Sequence, residues 1–386
     1  MRASKPPEEP SERRRTHIPL LRFVPVKSLN TPVKVGLCID FPMSDMQQAY
    51  RDALDLAFHE ALDSQLIDRP IEPIADESEG LPRGEAFAVL ESWKRLANMG
   101  CVVIVGPSVS DNAVAVRQHI ESTGHIPTIG WCGTERFYGE WCFGIGNGSL
   151  SDEPYLIAEY LGSQGASTVA VVEELSIPGE EYSAHFRNAA RREGLQIVHV
   201  ETIGQTATDL DRTAARLQAS QPDAVAYLGF GLPAMDLNDA FDRLGWNPFR
   251  VTTTAFINAY ASPEWMWRYR GWVGVDQYDE TNPVAQDFLD RFEARFSYRP
   301  DHCVATLAYD TGRLVALAIS KASPLSPLGV KVGLEQIKAL RAATGSPGTR
   351  LGFGPFVRRA WHGTGYLVMR QVDEDARRTI LRARFH

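Results

Sequence analysis

The stretch Val103–Val116 reads VIVGPSVSDNAVAV. Three apolar residues run into Gly106, a polar loop follows with Ser108, Ser110, Asp111 and Asn112, and an apolar pattern then resumes at helical spacing. An apolar run without polar alternation is the mark of a strand covered on both faces. Strand, short loop and helix in that order make half of a βαβ unit. Ser110 and Asp111 stand at the helix start and are its N-cap candidates. The N–H groups of a helix start also favour a carboxylate or other anion. The loop therefore reads in two ways, as a cap and as part of a binding wall.

The same unit recurs on both sides. VKVGLCIDF from Val33 is a strand, and DMQQAYRDALDLAFHEAL after it is an amphipathic helix carrying Met46, Ala49, Tyr50, Ala53, Leu54 and Ala57. IEPIAD, the helix GEAFAVLESWKRLANMG and the strand HIPTIGW complete a first set. A second set runs from STVAVVEEL through LQIVHVETI and DAVAYLGFG to FRVTTTAF, with a helix between each pair of strands. Long helical patterns and a last strand, GYLVMRQVDE, follow. This rhythm predicts an α/β protein with two doubly wound parallel sheets and a change of lobe within GIGNGSLSDEP. In such sheets a ligand sits beyond the carboxyl ends of the strands. The loops after Asp40, Gly106, Ile129, Val172, Leu228 and Thr254 are then the places to search.

Composition narrows the function. The 386 residues suit two or three domains. A net charge of −8 speaks against a nucleic-acid partner, whose phosphates call for Lys and Arg. No run of about 18 apolar residues is present, so membrane insertion is not expected. Residues 1–32 are rich in Pro, Arg and Glu without an apolar signal core, and read as a disordered or loosely docked arm. Five cysteines do not make a disulfide framework. Cys132 and Cys142 flank CGTERFYGEWC and leave two readings open, buried thiols or a disulfide-closed loop in an oxidising compartment.

Enzyme signatures are missing: no complete dinucleotide or phosphate-cradling glycine loop, no zinc spacing, no nucleophile elbow. The reading is therefore a binding protein without a catalytic residue, metal or cofactor. The strand-end loops offer Ser108 and Ser110, Trp131 and Thr134, Phe41 and Ser44, and Phe230 as walls and polar contacts of a small pocket.

The chain resembles type I periplasmic solute-binding proteins, the branched-chain amino-acid-binding group. The most specific block is VGVDQYDETNPVAQDFLDRFEARFSYRPDHCVATLAYDTGRLVALAISKA, where Gly274, Pro283, Phe288, Phe292, Ala308, Tyr309, Asp310, Ala318 and Ile319 match the family pattern. Pro300 follows Tyr298 one residue closer than that pattern has it. VVIVGPSVSDNAVAV with IPTIGWCGTERF matches its Gly-x-x-x-Ser loop and Ile-Pro-x-Ile strand. The resemblance implies two lobes joined by three hinge crossings, near Gly148, Val275 and Gly352. Residues 33–148 with 276–351 would form the first lobe, and 149–275 with 352–386 the second. It implies a receptor that traps an amino acid or related carboxylate or amide for ABC-type import, with a permease and ATPase as partners and an extracytoplasmic location. A cytoplasmic ligand-sensing regulator of the same fold is the alternative, since no signal peptide is visible.

By the same resemblance Ser110 is the ligand-binding serine, and Cys132 and Thr134 hold the ligand's carboxylate and amino groups. Two positions depart from it. A Tyr that closes on the ligand falls near Pro178, and the acid that pairs with an ammonium falls at Thr254. Either Glu173 or Glu174 replaces that acid, or the ligand is not an α-amino acid, a reading in which Trp131, Phe41 and Tyr138 suit an apolar carboxylate or amide.

Overall fold

A computed structural model describes residues 31–42, 44–373 and 378–381. The arm expected over residues 1–32 therefore lies almost wholly outside the described residues. The first sheet holds β1 (Val33–Ile39), β2 (Ile71–Glu77), β3 (Val103–Val105), β4 (Thr128–Gly130) and β5 (Cys142–Gly144) in the order β2-β1-β3-β4-β5. All of its pairings are parallel. The crossovers are α1 (Ser44–Asp63), α2 (Ala86–Asn98) and α3 (Ser110–His119). β5 is the strand that sequence reading passes over, because three residues of CFG carry no periodicity.

The second lobe begins with α4 (Glu153–Ser163) and continues through β6 (Thr168–Glu174), α5 (Ile177–Glu193), β7 (Gln196–Ile203), α6 (Asp211–Ala219), β8 (Ala224–Leu228), α7 (Pro233–Leu244), β9 (Phe249–Thr252), α8 (Pro263–Arg268) and β10 (Trp272–Asp276). Ser176 caps α5 through the Gly179 N–H, and Ser262 caps α8 through that of Trp265. Every residue of β8 and β10 is buried, as strands covered by helices on both faces require.

The chain then returns. Helices α9 (Pro283–Phe296) and α10 (Cys303–Lys321) pack on α1, and α11 (Pro327–Glu335) packs on α10. Arg291 on α9 ties this layer to Glu60 on α1 at 2.7 Å. Among the described residues α10 is the one helix long and apolar enough to cross a membrane, but 83% of its apolar window is buried inside the protein, as in a core helix. After a small ribbon of β11 (Leu340–Arg341) and β12 (Arg350–Leu351), strand β13 (Val368–Val372) joins the second sheet beside β10, antiparallel to it. With β14 (Arg378–Leu381) the order becomes β14-β13-β10-β9-β8-β6-β7.

The passages between sheets lie side by side. Gln277 receives the Gly148 N–H at 2.8 Å and donates to the Gly146 carbonyl at 3.1 Å, so the first two passages are hydrogen-bonded together. Gly148 has φ +84°, and a side chain there would run into Glu153 and Thr254. The third passage comes later than Gly352: the Arg358 carbonyl accepts from Gly144 and the Ala360 N–H donates back to it, both 2.8 Å, so this segment still edges the first sheet.

Candidate functional site

The opening stretch ends in a loop held from below. Asp40, at the carboxyl end of β1 and 1% exposed, accepts from the Ser108 N–H (2.8 Å) and hydroxyl (2.7 Å), from the Val109 N–H (3.0 Å) and from Asn112 Nδ2 (2.9 Å). Four donors fill the lone pairs of one carboxylate. Gly106 at φ +96° approaches the Cys38 carbonyl too closely for any side chain, which brings this loop against β1. The expected caps are different. The N-cap of α3 is Val109, with no side-chain bond, and Ser110 is already the first helical residue. Asp111 instead reaches across to α5 and accepts the Ile177 N–H at 3.0 Å. Ser110 is thus released from capping, 5% exposed, in the wall between the lobes.

Two adjoining hollows lie there. The larger, about 150 Å³, is lined from the first lobe by Phe41, Met46, Tyr50 and Trp131 and from the second by Phe230, Ile257 and Asn258. Phe41 and Phe230 meet edge to face across the cleft, centroids 4.9 Å apart, and the Arg83 guanidinium lies 4.2 Å over the Phe41 ring. Trp131 is fixed by its Nε1 bond to Thr311 (3.1 Å) and by the edge of Tyr50. The smaller hollow, about 60 Å³, is lined by Ser110, Pro178, Tyr182 and Thr254. Ser108, Asn147, Phe230 and Ile257 line both. The cleft is therefore an apolar chamber with a smaller, more polar hollow beside it at the first turn of α3.

The expected site residues divide. Phe41, Trp131 and Phe230 come together in the chamber, and Ser110 and Thr254 in the polar part. Ser44 opens α1, and its side chain lies outside the described residues. Cys132 is corrected: beside the chamber-facing Trp131 its side chain turns the other way, into the cluster with Phe137 and Cys142. Burial pushes its thiol well above the usual range, and all five cysteines are free. Thr134 is corrected too. Its hydroxyl donates to Glu181 on α5 at 2.8 Å and accepts the Arg136 N–H, so it is spent on joining the lobes and capping a short turn. Glu173 bonds Arg187 (3.2 Å) and Thr202 (3.1 Å) on the β7 side of the sheet, away from both hollows. Tyr138 packs under Gly144, outside the cleft.

The acids behind the wall answer the question at Thr254. Glu174 is bound by the N–H groups of Phe230 (2.8 Å) and Gly231 (2.7 Å) and by the Tyr227 hydroxyl, which shapes the Phe230 loop. Glu153, absent from the sequence reading, sits fully buried behind Thr254. It accepts the Thr254 N–H (2.7 Å) and hydroxyl (3.0 Å), the Ser149 N–H (2.6 Å) and the Tyr182 hydroxyl (2.9 Å). Tyr182, one helical turn past Pro178, brings a tyrosine to the wall after all. Burial pushes both Glu153 and Glu174 up to about 7 in spite of their donors. Their folded values exceed the ordinary 4.5. The stability each contributes is thus full below that pH and lost as pH rises through 7. Between pH 4.5 and 8 the unfolding free energy of Glu153→Gln is expected to gain about 3 kcal/mol on the parent. Urea unfolding at both pH values reads this, and a constant difference would refute it.

Among the described residues the Ser110 hydroxyl makes no hydrogen bond that holds the fold, so Ser110→Ala should cost less than about 0.5 kcal/mol of stability and about 1 kcal/mol or more of ligand affinity. Parallel melting and titration separate the two effects, and equal affinity in the variant would remove Ser110 from the site.

Two α/β lobes with a lined cleft between them define a class of binding protein. The family model for periplasmic binding proteins matches residues 32–373, and the chain belongs to that family. No curated protein matches it by sequence. Among solved structures, the branched-chain amino acid transporter substrate-binding protein LivJ of Streptococcus pneumoniae, solved with isoleucine, is similar at 18% identity and TM-score 0.76, over 91% of this chain and all of that one. A periplasmic binding protein type 1 from Bordetella pertussis is similar at 17% and 0.77, over 91% and 100%. A Desulfitobacterium hafniense ABC transporter substrate-binding protein, solved with Leu, is similar at 17% and 0.74, with the same coverage.

Proposed function

We propose that the chain is the solute receptor of an ABC-type importer, working outside the cytoplasm with a permease and ATPase. Its solute is a small carboxylate or amide with an apolar body and no ammonium group. The family supports the receptor role and the location. The observation that carries the ligand class is the charge of the cleft. Asp40 is the one carboxylate among the described lining residues, and its oxygens are filled by four donors. Glu153 and Glu174 are enclosed behind the wall with donors of their own. A buried ammonium without a partner costs several kcal/mol. Ser110 and the first turn of α3 suit the opposite charge, and the aromatic chamber suits an apolar body.

A thermal-shift screen tests this with aliphatic and arylalkanoic acids, their amides and the amino acids. A solute at about 100 times its Kd adds ~2.7 kcal/mol to stability. Hits among the acids or amides support the reading. Hits confined to amino acids overturn the ligand class, and no hit in any class overturns the receptor.

A further inference from the structure

Three residues of α1 line the apolar chamber: Met46, Gln47 and Tyr50. Tyr50 stands one helical turn on from the other two, so a single face of α1 covers the chamber. Its ring meets that of Trp131 edge to face, centroids 5.0 Å apart. Among the described residues nothing hydrogen-bonds the Tyr50 hydroxyl. Burial pushes this hydroxyl well above its ordinary range, so it lies deep in the protein. Packing nevertheless leaves it accessible, whereas the Asn258 Oδ1 is sealed off. A deep hydroxyl that keeps accessible surface borders an internal space, and the space Tyr50 lines is the chamber. A buried tyrosine O–H ordinarily has a partner. Its polar neighbours on the wall have theirs: the Ser108 hydroxyl bonds Asp40, Trp131 Nε1 bonds Thr311 and Gln47 Nε2 bonds Glu77.

We propose that Tyr50 is a specificity residue: the solute's apolar body carries an uncharged oxygen, a hydroxyl or carbonyl, that hydrogen-bonds the Tyr50 O–H. This rests on the ligand class proposed above and adds a second polar group to it. Ser110 lines only the smaller hollow and Tyr50 only the larger, so the two hydroxyls meet different parts of one solute. The acid or amide end meets Ser110 and the first turn of α3. The body fills the chamber, whose volume of about 150 Å³ suits a benzene ring. A second carboxylate beside Tyr50 is disfavoured, because Asp40 already brings negative charge to the hydroxyl's surroundings. A site that hydrogen-bonds a substrate hydroxyl rejects the analogue lacking it far more strongly than an apolar pocket rejects a missing methylene.

The test is a calorimetric titration of the purified protein with 3-phenylpropanoate and with its 2-, 3- and 4-hydroxyphenyl derivatives, in the parent and in Tyr50→Phe. The substitution removes one oxygen that nothing in the described chain bonds and keeps the ring against Trp131. One hydroxylated acid is expected to bind the parent at least tenfold more tightly than 3-phenylpropanoate. In Tyr50→Phe that preference should vanish while 3-phenylpropanoate binds as before. Equal affinity of all four acids for the parent overturns the proposal without the variant, so a folding defect in Tyr50→Phe does not shield it. A hydroxyl preference that survives the substitution overturns it as well, including the case in which all four acids weaken by the same factor. Failure of all four acids, with amino acids binding instead, overturns the proposal together with the ligand class beneath it, and is thereby distinguishable from its failing alone.

Discussion

Replacing Asp40 by asparagine is expected to destabilise the protein by about 3–5 kcal/mol and to abolish solute binding. The carboxylate accepts four hydrogen bonds from a loop and helix start 68 to 72 residues away in sequence. Asparagine retains one acceptor oxygen and turns an NH₂ toward donors. At least two buried donors then lose their partners, at about 1–3 kcal/mol each. Asn112 is also bonded to the backbone of Leu81, through 3.0 and 3.2 Å contacts, so the disturbance reaches the segment before α2. The loop it releases carries Ser108 and Ser110, which explains the expected loss of binding. Urea unfolding and titration on the same preparation check both effects. A change below about 1 kcal/mol with unchanged affinity would show that the loop holds its shape without Asp40.

The second large effect concerns the solute's charge. L-Phenylalanine and 3-phenylpropanoate share a carboxylate and an apolar body and differ by one ammonium. In the cleft that ammonium meets no free carboxylate among the described lining residues, and the pair of lobes removes it from water. A penalty of several kcal/mol is at least a hundredfold in affinity at ~1.4 kcal/mol per factor of ten. Melting curves should therefore move upward with 3-phenylpropanoate and stay in place with L-phenylalanine at the same concentration. Equal shifts would mean that an acid reaches the cleft, Glu153 by a rearrangement of Thr254 being the nearest source.

Much of the architecture is legible in the sequence because strands buried on both faces write themselves as unbroken apolar runs. Ala224–Leu228 and Val103–Val105 are such runs, and every residue in them is buried. β5 and the β11–β12 ribbon escape because two or three residues carry no period. The site was legible only in part. Ser110, Phe41, Trp131, Phe230 and Thr254 reach the cleft because strand-end loops must. Cys132 and Thr134 lie in a loop beside the cleft with their side chains engaged elsewhere, since direction alternates along the chain and no local pattern sets its phase. Asp40 and Glu153 act through partners far away in sequence. Only the three-dimensional arrangement shows that the acid expected at Thr254 lies one layer deeper, already saturated.

The proposed receptor has a cleft that accepts a carboxylate or amide and refuses an ammonium. Isothermal titration of the purified protein with 4-methylpentanoate and with L-leucine, which differ by that one group, tests it most directly. The prediction is a saturable isotherm for 4-methylpentanoate and binding at least a hundredfold weaker for L-leucine. L-Leucine binding as tightly as 4-methylpentanoate, or more tightly, would contradict it.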